Sequence, residues 1–76
     1  MYTQNNKELI AFCQNVKKLR ERNGLSKKEM AKILGIGISS LTKIEKGIIP
    51  PRTRADVVFK VLFHFKIKSH ELFTEL

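Results

Sequence analysis

Cysteine occurs once in this sequence, at Cys13. A lone cysteine excludes an intramolecular disulfide and any cysteine-based zinc site, both of which need at least a pair at defined spacing. It fits a reducing, cytoplasmic setting. Long apolar runs are missing too. The most apolar stretch, Val57 to Ile67, is broken by Lys60, His64 and Lys66 and falls well short of the roughly 20 residues a membrane span needs. Met1 to Glu8 is polar, with no apolar core ahead of a small-residue cleavage site, so it does not read as a secretory signal. There is no alternating strand pattern, no internal repeat and no low-complexity segment. Acidic residues are scarce: seven Asp and Glu stand against fifteen Lys and Arg, for a net charge of +8. That excess favours a polyanion, nucleic acid or an anionic surface, although solubility alone would also be served by it.

What is present is enough for one core. At 76 residues the chain buries only about 60% of its unfolded-state surface, so one domain over residues 1–76 is expected, with no room for a sensor module. A hydrophobic share of 42% beside 29% charged residues is ordinary for a folded globule.

Helical spacing runs through the chain. Asn5 and Glu8 form a capping-box pair for a first helix. Leu9, Phe12, Cys13, Val16 and Leu19 recur on one stripe of it, and Asn23-Gly24 stops it. Ser26-Lys27-Lys28-Glu29 is a second capping box. Met30, Ala31, Ile33 and Leu34 give the next helix its buried face, and it ends at Gly35. Only Gly35-Ile36-Gly37 separates it from a third helix, anchored by Leu41 and Ile44 and stopped at Gly47. Ile48-Ile49-Pro50-Pro51 reads as a loop, because consecutive prolines lack amide donors. A fourth helix restarts at Thr53 with Asp56 as its partner, turning Ala55, Val58, Val61, Leu62 and Phe65 inward. Ser69 caps a fifth, carrying Leu72, Phe73 and Leu76.

The segment from Leu25 to Gly47 resembles the helix-turn-helix of the Cro and phage-repressor family, also called the XRE family. Counting from Lys27, a small residue stands fifth (Ala31) and Gly ninth (Gly35). Apolar residues stand fourth, eighth, tenth, fifteenth and eighteenth, at Met30, Leu34, Ile36, Leu41 and Ile44. Ala31 lets two helices approach, Gly35 permits the tight turn, and the apolar set fills the wedge between them. The likeness extends to Val16-x-x-Leu19-Arg20 before the motif and to Pro51 and Glu71-Leu72-Phe73 after it.

The resemblance implies an all-α, compact five-helix fold of the lambda-repressor type, with the helix-turn-helix over residues 27–46. It implies sequence-specific binding of double-stranded DNA by a transcriptional regulator, a repressor in many relatives, with the third helix in the major groove. By it, Gly37, Ile38, Ser39 and Lys43 face bases, and Lys27 and Lys46 face phosphates. Arg20 and Glu45 would pair to orient the reading helix, the alternative being that both are solvated. Lys28 joins the phosphate set on a separate ground. Lysines at the positive end of a helix oppose its dipole by roughly 0.3–1 kcal/mol each, which a bound phosphate would offset. Arg52 joins it if the loop after the third helix lies near the DNA backbone. Where relatives often carry a Gln or Arg able to bond a base edge twice, this chain has Ile38, which offers apolar contact alone.

Val57, Phe59 and Phe63 exceed what one buried stripe of the fourth helix needs. They imply either a patch for a second copy, giving a homodimer, or a core wrapping further round that helix. Antitoxin-type regulators of the family also bind a protein partner, so a protein-interaction module using the apolar fourth helix and the Ile48-Ile49 loop is the alternative reading. A cationic membrane binder would need an amphipathic basic helix, whereas the lysines here gather at a turn. No motif around Cys13, His64 or His70 supports catalysis or a metal site. Gly35-Ile36-Gly37 lacks the third glycine and the strand of a phosphate-cradling loop. No enzyme activity and no cofactor are implied.

Overall fold

A computed structural model describes residues 7–49 and 51–74, without the side chains of Pro51, Arg52 and Ser69. The expected cap at Asn5, the loop position Pro50, the Arg52 phosphate contact, the Ser69 cap and the Leu76 anchor lie outside the described residues. Five helices follow one another: α1 (Lys7–Arg22), α2 (Lys27–Leu34), α3 (Ile38–Glu45), α4 (Pro51–Phe65) and α5 (Ser69–Leu72). No strand occurs among the described residues.

The helical stripes converge on one core. Phe12, Cys13, Val16 and Leu19 of α1 meet Met30, Ala31 and Leu34 of α2, Leu41 and Ile44 of α3, Val57 and Val61 of α4, and Leu72 of α5. Leu9, Ile33 and Ile36 pack at its edge. The Phe12 and Phe73 rings stack with centroids 5.6 Å apart, closing the chain's end onto α1. Beneath that stack, Asn15 is 1% exposed. Its Nδ2 donates to the Leu72 carbonyl at 2.6 Å and the Thr74 carbonyl at 2.6 Å. The pair of bonds supplies carbonyls at the end of α5 with a donor that the four-residue helix cannot offer itself.

Several expectations are corrected. Pro51 is not loop but the first residue of α4; there its missing amide would have no helical acceptor anyway and its fixed φ suits the helix. Thr53 consequently lies inside the first turn rather than capping it. The buried stripe of α4 is Val57 and Val61, both fully buried, with Val58, Leu62 and Phe65 half-buried and Ala55 exposed. Val57 therefore has no surface to give a partner. The stripe is rotated because Ile49, 8% exposed, enters the core and sets how the following helix meets it. Of the Ile48-Ile49 pair, only Ile48 faces solvent. At the last helix the cap position belongs to Lys68, whose amide donates to the Glu71 carboxylate at 3.0 Å.

Candidate nucleic-acid interface

Two short helices and a three-residue turn form the centre of the site. Ser26 is extended and its hydroxyl accepts from the Glu29 amide at 3.1 Å, while the Glu29 carboxylate accepts from the Ser26 amide at 2.8 Å. These two bonds occupy amides at the start of α2. They hold the Glu29 carboxyl below its ordinary range, the Ser26 amide contributing most and the hydroxyl next. At the other end Gly35 adopts φ +70. Its amide donates to the Lys32 carbonyl at 3.2 Å and the Ile36 amide to the Ala31 carbonyl at 3.0 Å. This left-handed close needs glycine. Space demands it as well, since a Cβ would stand 2.6 Å from Lys60 Nζ. That ammonium reaches over from α4 and donates to the Leu34 carbonyl at 3.3 Å, placing positive charge on the negative end of α2.

Across the turn, Ala31 is 3% exposed, and its small side chain lets α3 settle against α2. The Lys27 ammonium donates to Thr42 Oγ1 at 3.4 Å, so the start of α2 lies beside α3. The far end of α3 is tied to α1. Arg20 Nε donates to Glu45 Oε2 at 2.8 Å and Nη2 to Oε1 at 3.2 Å. Nη1 reaches the Leu25 carbonyl at 3.3 Å. These side chains are only 14% and 5% exposed, so the two-bond geometry is held away from solvent, where such pairs are strongest. The bond to Glu45, more than the opposing effect of burial, raises Arg20 further above its already high pKa.

The outer surface of this pair carries Lys27, Lys28, Lys32, Ser39, Ser40, Lys43 and Lys46, all exposed. Both acids of the segment are engaged internally, Glu29 in the cap and Glu45 with Arg20. The face is accordingly positive. Ile38, on the first turn of α3, is 48% exposed, and Ile48 beyond its end is 59% exposed. Gly37 caps α3 with φ −77 and no side-chain bond, and a Cβ there would meet nothing within 4 Å. Arg54, counted above among the cations near this face, is half-buried instead, and its Nε is enclosed without a hydrogen-bond partner.

Away from this face, Phe59 and Phe63 are 68% and 77% exposed and stack on each other with centroids 6.3 Å apart. Beside them, Arg54, Ala55, Val58, Phe59 and Leu62 line an open groove of about 610 Å³. Cys13 is buried, and burial raises its thiol pKa against a smaller opposing effect of the Arg54 charge. It is packing, with little thiolate to react. Among the described residues no group of His, Cys, Asp or Glu is arranged to hold a metal ion, and no helix is long and apolar enough to cross a membrane.

Reading the sequence alone misses three connections: Asn15 to the end of α5, Lys27 to Thr42, and Lys60 to the end of α2. Asn15 had a signal, falling three residues after Phe12 and directly before Val16 on the inward stripe. The other two join residues 15 and 26 apart, which no local pattern encodes.

A protein-family model described as helix-turn-helix matches residues 16–62, more than half of the chain. No curated protein and no solved structure matches.

Proposed function

Since the chain belongs to the helix-turn-helix family of Cro and phage-repressor type, a DNA-binding family of transcription regulators, we propose that it is a repressor that lays α3 in the major groove of a near-palindromic operator as a homodimer. The observation that carries this reading is the engagement of both acids of the α2–α3 pair in internal contacts. It leaves an outer face of exposed lysines around a short-side-chain helix start.

In this reading Lys27 and Lys28, at the amino end of α2, and Lys46, at the carboxyl end of α3, meet phosphates. Gly37, Ile38, Ser39 and Lys43 meet base edges. Arg20 sets the angle of α3 through Glu45, and Arg52 adds a backbone contact from the start of α4. The glycine at 37 supports close approach. Neither its φ nor its packing requires glycine, and serine or asparagine would cap the helix somewhat better, so its advantage is the absence of a side chain between backbone and DNA. Phe59 and Phe63 would meet the same residues of a second copy and space two α3 helices about one turn of DNA apart.

Selection from a random duplex library, followed by affinity measurements at several salt concentrations, tests the proposal. Six to ten phosphate contacts in a dimer would give a log-log salt slope of about −5 to −9. Lys27→Ala should weaken all sequences alike and flatten the slope by about 1, whereas Lys43→Ala should also relax preference at one base position. A flat slope with no enriched sequence would reject DNA binding.

A further inference from the structure

On the first turn of α3 only one side chain is long enough to project. Gly37 has none, Ser39 and Ser40 end at a hydroxyl, and Lys43 stands more than a turn further on. Ile38 is 48% exposed and is absent from the core and from the apolar residues packed around it, although Ile33 and Ile36 nearby both belong there. The fold thus makes no use of a large β-branched side chain that is also a poorer helix former than alanine. Ser39 and Ser40 can each donate to or accept from any base, so they discriminate weakly. The most discriminating contact available to this turn is apolar, and the apolar group on the floor of the major groove is the C5-methyl of a pyrimidine.

We infer that Ile38 reads a pyrimidine C5-methyl group, making operator affinity depend on that methyl whether thymine or 5-methylcytosine bears it. The inference rests on the reading that α3 enters the major groove, and it deepens that reading by naming the chemical group recognised. Thymine and 5-methylcytosine present the methyl at the same ring position but differ in the neighbouring hydrogen-bonding group, an acceptor on one and a donor on the other. An isoleucine makes no hydrogen bond to that group and registers the methyl alone. A cytosine methylated at this position would therefore bind better than the unmodified base, making the site responsive to DNA methylation.

The test begins with a site selected from a random duplex library. Each thymine in it is replaced in turn by uracil, and each cytosine by 5-methylcytosine, so that every comparison differs by one methyl group. Affinities of the wild type, Ile38→Ala and Ile48→Ala are measured at low salt, where phosphate contacts keep weakened complexes measurable. Wild type should lose about fourfold for the methyl missing in each half-site, the weight of one buried methyl group. Ile38→Ala should abolish that ratio, and Ile48→Ala should retain it. A ratio in the thymine series alone identifies thymine as the source, and a ratio in the cytosine series adds 5-methylcytosine; either supports the assignment. Tight binding without a methyl ratio at any position overturns it. So does a ratio that survives Ile38→Ala or disappears with Ile48→Ala. Failure to enrich any site is a different result, rejecting DNA binding itself and this inference with it.

Discussion

Asn15 shows how much one buried polar residue can decide. Its two bonds to the Leu72 and Thr74 carbonyls join residues far apart in the chain and compensate for burying an amide in the core. Asn15→Ala would leave the Leu72 carbonyl without this donor, at about 1–3 kcal/mol. Urea unfolding should show that loss, and hydrogen exchange should show faster opening at residues 69–74 than at the α2–α3 pair. Uniform loss of protection across the chain would mean that Asn15 supports the whole core instead. Cys13 lies two residues before it and behaves as a small apolar side chain. Its raised thiol pKa means that its contribution to stability is present below about pH 8.5, the ordinary thiol value, and is lost as pH rises through the folded-state value.

At the scale of elements, helix ends are specified more sharply than helix faces. Ser26 with Glu29 and Gly35 with its two following bonds are local chemistry, readable from residue type and spacing alone, and they form α2 as the sequence indicates. The cap also carries a pH dependence. Because the Glu29 carboxyl is held below its usual range, its contribution is present above the unfolded carboxylate pKa and is lost as pH falls through the folded value. Thermal melts of the wild type and Glu29→Gln should therefore differ at neutral pH and converge in acid; a constant difference would mean the charge of Glu29 plays no part. Ser26→Ala removes the hydroxyl half of the box, at about 1 kcal/mol at neutral pH. Faces were less legible. The apolar pattern of α4 admits more than one buried stripe, and the selection of Val57 over Ala55 came from Ile49 packing before the helix begins. The start of α4 at Pro51 was missed because a proline pair reads as a break, although its second member can open a helix.

For the molecule as a whole, the arrangement separates two surfaces. One is basic, formed by the ends of α2 and α3; the other is aromatic, formed by Phe59 and Phe63 of α4 with the groove beside them. If the aromatic surface joins two copies, Phe63→Glu should give a monomer by light scattering and weaken operator binding by far more than it changes stability. Phe63 is 77% exposed, so its replacement should alter folding by no more than about 0.5 kcal/mol. An unchanged oligomeric state would reject the patch.

The sequence by itself determined the five helices, the turn at Gly35 and the family, since caps, left-handed stops and helical periodicity depend on residues a few positions apart. The tertiary structure decided which apolar residues are spare, leaving Phe59 and Phe63 outside and drawing Val57 and Ile49 in. It also decided which charges remain available, through Arg20 engaging Glu45 across 25 residues and Arg54 turning partly inward. Those outcomes depend on how whole helices pack, and a contact between distant residues leaves no periodic trace in the chain that encodes it.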